Sequence, residues 1–293
     1  MAPASPHLPP NTDLDRYRIK HVIGGGGFSV VYLATDKETE QTVVIKEYLP
    51  AKLARRAADG RSVVSRNEKT EKMFKQGRKL FFQEASLLAA LDHPNIVTIL
   101  GFFQANETIY TVMVYEKGIS LQAYIKKKGG RRSENFIRTV FSPFLECVKA
   151  VHEQGLLHLD IKPGNIFVKN DASPLLLDFG AAHKLVMSAE SRLFPVVSHG
   201  FSPIEQTQKY ANLGPWTDIY AIGATMRACI EGRPPVPAKK RKPDDTLPPA
   251  SLMFEDEYSE ALLKAIDWAM ELMPEDRPQS IEELLKVFPR NVE

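Results

Sequence analysis

The chain divides by the texture of its apolar positions. From about Tyr17 to Tyr115, short β-branched runs recur: YRIKHVI, VVYLA, QTVVIKEYL, IVTILGFF and TIYTVMVY. Runs of this length, separated by turn-forming or charged segments, predict strands. One segment among them, FFQEASLLAAL, spaces its apolar residues as a helix does. Pro94 disfavours helical backbone at His93, so that helix should stop there. Beyond Leu121 the period changes. ENFIRTVFSPFLECVKAVHEQG reads as a long amphipathic helix closed by Gly155, and WTDIYAIGATMRACIEG as another closed by Gly232. A glycine just past the last turn takes the left-handed backbone that ends a helix. EALLKAIDWAMEL and SIEELLKVF follow, the latter opening on Ser280 with Glu283 placed as in a capping box. The pattern predicts an α+β protein. A sheet-rich lobe with one helix, about residues 16–114, precedes a larger helical lobe, about 119–288, with the hinge near Val114–Gly118.

Composition narrows the picture. With 293 residues, 43% of them hydrophobic, the chain can bury a sizeable core. A formal charge of +2 points to neither nucleic acid nor a membrane surface. No run approaches the roughly 18 apolar residues that span a bilayer. The proline-rich opening, MAPASPHLPPNTD, lacks the apolar core of a signal peptide, and residues 1–15 read as a disordered lead. The two cysteines, Cys147 and Cys229, fall in apolar helical patterns without metal-knuckle spacing. They read as reduced core thiols of a cytoplasmic protein. Two basic excursions, the insert at 51–77 and KKRK at 239–242, read as solvated surface loops.

Four segments carry chemistry. In IGGGGFSVVY, Gly24 and Gly26 fill the first two positions of G-x-G-x-x-G and Ser29 the third. Glycines let a backbone approach phosphates closely. A strand follows rather than a helix, which excludes a dinucleotide fingerprint. That leaves a flap over a nucleotide, with Val31 against the base, or a plain glycine-rich hairpin. Lys46 lies in the apolar strand VVIKEYL, where a buried charge needs a partner. Glu84, on the same helical stripe as Phe81, Leu87, Leu88 and Leu91, is the candidate. In LLHLDIKPGNIFV, Pro163 and Gly164 preclude regular structure around Asp160, Lys162 and Asn165. Phosphoryl transfer requires a carboxylate by the attacking hydroxyl, a cation on the moving phosphate and oxygen ligands for Mg²⁺. Those three residues match the three needs in turn. LLLDFGAA ends a strand on Asp178, a further oxygen ligand.

These segments together resemble the eukaryotic-type (Hanks-type) serine/threonine protein kinases over about Tyr17–Phe288. The motifs fall in order: G-x-G-x-x-S-x-V (24–31), VVIK (43–46), Glu84, HLDIKPGN (158–165), DFG (178–180), SPIE (202–205), TDIYAIG (217–223) and DRP (276–278). The resemblance implies a bilobal protein kinase fold. It implies transfer of the γ-phosphate of ATP, with Mg²⁺ or Mn²⁺, to serine or threonine of protein substrates, with autophosphorylation. Asp160, Lys162, Lys46 and Glu84 become the catalytic set, and Asn165 and Asp178 the metal ligands. The nucleotide surface becomes the loop Ile23, Gly24, Gly25, Gly26, Gly27, Phe28 and Ser29. Val31, Val44 and Lys46 extend it, with Met113 at the gatekeeper position, Val114 and Tyr115 in the hinge, and Phe167. Glu205 is expected to pair with Arg277, and Asp218 to brace the catalytic loop. Ser188, Ser191 and Ser198 lie in the activation segment as phosphorylation candidates; Ser198 has a structural alternative, contact with the catalytic loop. KEYLP, the insert and HLDIKP resemble soluble bacterial members.

The departures carry meaning too. Val44 adds bulk over the adenine. Leu159 replaces the arginine that meets an activation-loop phosphate, which argues against that switch. Two other readings stand beside the kinase: a pseudokinase scaffold, against which Lys46, Asp160 and Asp178 are all present, and a small-molecule kinase, against which SPIE and Arg277 argue. No nucleic-acid or membrane partner is expected, and the oligomeric state is open.

Overall fold

A computed structural model describes residues 7–127, 130–177, 197–208, 211–241 and 245–289. The chain forms two compact units. One comprises residues up to Asp92 together with Val97–Glu116; the other comprises His93–Ile96 and everything from Lys117. The division after Glu116 falls within the expected hinge.

The first unit is built on a six-stranded antiparallel sheet. Its strands are β1 (Asp13–Leu14), β2 (Tyr17–Gly25), β3 (Ser29–Asp36), β4 (Thr42–Tyr48), β7 (Ile99–Ala105) and β8 (Thr108–Val114), in the order β1-β2-β3-β4-β8-β7. A separate hairpin, β5 (Ala54–Arg56) and β6 (Val63–Ser65), precedes helix α1 (Glu68–Ala90). Strand alternation sorts β4 into two faces. Val43, Ile45 and Glu47 are buried, whereas Val44 and Lys46 are half-buried. Register aligns Val31 with Lys46 and Thr111, and Leu33 with Val44 and Met113. The second face therefore gathers the half-buried Val31, Val44 and Lys46 with the buried Met113.

The opposite face holds a buried ionic network. Glu47, fully buried, accepts two hydrogen bonds from Arg56, at 2.7 and 2.5 Å, and one each from the Tyr32 and Tyr110 hydroxyls, both at 2.7 Å. Arg56 also donates to the carbonyl of Arg61. Burial, together with the Glu47 charge, pushes both tyrosines above their ordinary pKa, so both stay protonated as donors. This corrects the reading of 51–77 as a solvated loop. Its Arg56 neutralises a carboxylate that water cannot reach, and the rest is hairpin and helix. The α1 helix also starts well before the expected FFQEASLLAAL, because Asn67 and Thr70 close a capping box ahead of a charged first turn. The lead at 1–15 is corrected likewise from residue 8 onward. Leu8 is buried in the core and donates its N–H to the Tyr32 hydroxyl, and β1 pairs with β2.

The second unit carries a small sheet, β11-β10-β9, of β9 (Gly118–Ser120), β10 (Ile166–Lys169) and β11 (Pro174–Leu176). Its helices are α2 (Leu121–Lys127), α3 (Glu134–Glu153), α4 (Pro215–Glu231), α5 (Ala238–Arg241), α6 (Ala250–Met253), α7 (Glu260–Ala269) and α8 (Ile281–Val287). Helix α4 is buried from Thr217 to Ile230, apolar nearly all round, as a central core helix must be. Gly155 and Gly232 follow α3 and α4 with φ of 70° and 74°, as the sequence predicts. Ser280 caps α8, but Glu283 turns to the N–H of Gln279 rather than to that of the cap residue. Arg241 corrects the solvated reading of KKRK. It is buried, donating to the Tyr220 hydroxyl, the Met270 carbonyl and Asp245. Cys147 and Cys229 are unbridged, and burial raises both thiols to about 12.

Two outcomes follow. Arg56→Met strands Glu47 without its cation, and urea unfolding should show a loss of about 3–5 kcal/mol; Arg56→Met with Glu47→Leu should restore much of it. An unchanged midpoint for the single variant would contradict a buried ion pair. A thiolate needs a pH near 12 in the folded state, so both cysteines should resist alkylation at neutral pH until the chain unfolds.

Candidate active site

Each unit assembles one set of the expected residues. In the first, β2 and β3 bracket the glycine loop, whose turn closes through Gly26 N–H to Ser29 O at 2.9 Å. A side-chain carbon at Gly26 or Gly27 would meet nothing within 4 Å, and neither has positive φ. Internal packing therefore does not demand glycine there. Phe28 and Ile23 are exposed beside them. The loop is tied from below: Leu49 N–H donates to Phe28 O and Ala51 N–H to Gly27 O. On β4, Lys46 Nζ stands 3.5 Å from Glu84 Oε1, both side chains largely buried, and 5.3 Å from the Phe81 ring centre. The structure thus brings Lys46 to the glutamate chosen from the helical stripe. Tyr115 is exposed and Val114 half-buried at the end of β8.

In the second unit, the loop between α3 and β10 is pinned from α4. The buried Asp218 carboxylate accepts the N–H of His158 at 2.8 Å and of Leu159 at 2.7 Å, and lies 2.9 Å from His152 Nε2. Burial alone would raise its pKa. The hydrogen bond and charge of His152, the charge of His158 and the backbone donor outweigh that and hold it below the ordinary value. These bonds keep Leu159 at φ 60°, an uncommon conformation for a leucine, and Gln206 donates to its carbonyl. The expected brace is present, and His152 and Gln206 are added members. His152 was open to detection, since it ends the same amphipathic helix that leads into the loop.

Asp160 is thereby presented with both oxygens engaged. Lys162 Nζ donates to Oδ1 at 2.9 Å and Oδ2 at 2.8 Å, Ser198 Oγ to Oδ1 at 2.6 Å, and Asn165 Nδ2 to Oδ2 at 2.9 Å. Asn165 also donates to the Asp160 carbonyl. With its amide nitrogen spent, its amide oxygen is what it can offer a cation. Phe167 is half-buried on β10. Asp178, Phe179, Gly180, Ser188 and Ser191 lie outside the described residues. Among the described residues no three His, Cys, Asp or Glu gather as for an all-protein metal site. The Glu205–Arg277 pair is bidentate at 2.7 and 3.1 Å. Arg277 also donates to the carbonyls of Trp216, Glu271 and Leu272.

Residues 17–287 match the protein kinase domain family. The chain belongs to the protein kinase family. Serine/threonine-protein kinase D of Synechocystis is 30% identical over 94% of this chain and 52% of that protein. Serine/threonine-protein kinase PrkC of Bacillus subtilis is 30% identical over 75% of this chain and 31% of that protein. The chain therefore spans about half of the first of these relatives and about a third of the second. A solved structure, the apo form of PpkA-294, superposes at TM-score 0.86 with 37% identity, covering 97% of this chain and all of that one. Rad53 in complex with AMP-PNP shares the fold at TM-score 0.67 and 20% identity. The expected α+β kinase fold is the observed one. Among the described residues, no helix is long and apolar enough to cross a membrane.

Asp218→Ala removes the acceptor for two loop amides. Hydrogen exchange at His158 and Leu159 should accelerate at least tenfold while α7 and α8 keep their protection; unaltered exchange would mean that the loop is held by other contacts.

Proposed function

We propose that the chain is an active serine/threonine protein kinase that transfers the γ-phosphate of ATP to hydroxyls of protein substrates. The observation that carries this reading is Asp160, fixed by Lys162, Asn165 and Ser198 on a loop pinned to Asp218. A carboxylate so held can orient an attacking hydroxyl and accept its proton, while Lys162 offsets charge on the moving phosphoryl group. Lys46, kept from solvent and paired with Glu84, is suited to hold the nucleotide's α- and β-phosphates. Gly26 and Gly27, which packing does not require, let backbone amides approach phosphate oxygens. Val31, Val44 and Met113 offer an apolar face to the adenine, and the family resemblance adds Ile23, Val114, Tyr115 and Phe167 to the residues that would contact the nucleotide. Asn165 and Asp178 would hold Mg²⁺, which when bound neutralises charge between the phosphates.

The Ser198 hydroxyl is engaged with both Asp160 and Lys162, which supports its structural alternative over a role as phosphoacceptor. Leu159 packs with Leu157 and Leu213 in an apolar cluster, which supports independence from an activation-loop phosphate. The buried unbridged thiols fit a reducing, cytoplasmic setting.

Intact mass after incubation with Mg²⁺ and ATP tests the assignment. The wild type should gain phosphates. Asp160→Asn should bind ATP normally but transfer roughly 100- to 10,000-fold more slowly. Lys46→Ala should also fall, with its deficit in productive ATP use. Full transfer by Asp160→Asn would overturn the catalytic assignment, and no gain by the folded wild type would favour a pseudokinase scaffold.

A further inference from the structure

Lys46 and Tyr48 lie two apart on β4 and so share one face of the strand. Phe74, Gly77, Phe81 and Glu84 recur at helical spacing along one stripe of α1. The two rows meet twice. Lys46 meets Glu84 at 3.5 Å. Tyr48 enters between Phe74 and Phe81, its ring centre 5.7 and 5.5 Å from theirs, over Gly77. A side-chain carbon at Gly77 would lie 1.9 Å from the Tyr48 hydroxyl oxygen and 2.8 Å from Cζ. The ring is 6% exposed and flanked by both phenylalanines, so moving it aside would disturb both contacts. Glycine is the poorest helix former after proline, so a mid-helix glycine needs a reason. Tyr48 supplies one.

The tyrosine is itself anchored. Its carbonyl accepts the Thr108 hydroxyl at 2.6 Å. The next residues, Leu49 and Ala51, carry the bonds to Phe28 and Gly27 of the glycine loop. The segment from Lys46 to Ala51 thus touches the pairing glutamate's helix and the phosphate loop at once.

We propose that Tyr48 and Gly77 are positioning residues: the ring, seated in the gap that Gly77 leaves, sets the approach of α1 to β4 at which Glu84 reaches Lys46. The helix is then held in its paired position by the chain's own wedge. The consequence for phosphoryl transfer rests on the kinase reading above; the consequence for helix position does not.

Gly77→Ala separates this from a merely structural role. Alanine favours helix, so helix propensity alone predicts a protein at least as stable as the wild type. The wedge instead predicts that α1 moves outward, since a 1.9 Å approach must open beyond 3.0 Å. With spin labels at Thr39→Cys and Ala89→Cys, both exposed positions of this unit, the mean distance should shift by about 1–2 Å. Turnover should fall roughly 100-fold with KM for ATP little changed. Combining Gly77→Ala with Tyr48→Leu clears the space and should restore part of both readouts. If Gly77→Ala does not fold, Tyr48→Leu alone, which leaves α1 without its wedge, should broaden the distance distribution and lower turnover. A folded Gly77→Ala protein with wild-type distance, or a double variant no better than the single, would overturn the proposal. If the wild type transfers no phosphate, the kinase reading fails and the distance measurement alone decides this one.

Discussion

A carboxylate beyond the reach of water, that of Glu47, sits one residue from Lys46 on β4. Burying Glu47 uncompensated would cost several kcal/mol, more than most single contacts return. The chain compensates by bringing Arg56, Tyr32 and Tyr110 to it, four hydrogen bonds that occupy both oxygens. Those donors come from β3, β5 and β8, so the register of the central strands and the placement of the hairpin are fixed together. Since side chains alternate along a strand, fixing Glu47 on one face fixes Lys46 and Tyr48 on the other. The pairing with Glu84 and the seat against Gly77 are downstream of that constraint.

The helical unit repeats the device with different chemistry. Asp218, buried in α4, binds two amides of the loop that carries Asp160. It can do so as an anion because His152 and the backbone donors offset its desolvation. Leucine at 159 is held in left-handed backbone by that attachment, a strain tolerated where the surroundings over-determine it. In both units a buried acid sets the geometry of its neighbours, Lys46 on β4 in one and the loop that carries Asp160 in the other.

Much of this was legible in the sequence, because alternation and helical spacing are local signals. The Lys46–Glu84 pair was legible in this way, from a charge in an apolar strand and a helical stripe, whereas the Asp218 brace and the Glu205–Arg277 pair were expected only from the family resemblance. What escaped was long-range compensation. A basic insert has the same composition whether its arginine faces water or Glu47, and Arg241 poses the same difficulty in KKRK. A clue was present: Glu47 follows Val43 and Ile45 at the buried period of β4, which calls for a cation from elsewhere. Leu8, one apolar residue among prolines, gave no periodic signal, and its seat by Tyr32 depends on a core built by other strands. The start of α1 was signalled by Asn67 and Thr70, but its charged first turns lack the apolar spacing that marks the later ones.

The most direct test is phosphoamino-acid analysis of a basic protein incubated with the chain, Mg²⁺ and γ-labelled ATP. Label on phosphoserine and phosphothreonine, absent with Lys46→Ala, is the predicted result. Label confined to phosphotyrosine or to small metabolites, or equal label with Lys46→Ala, would contradict it.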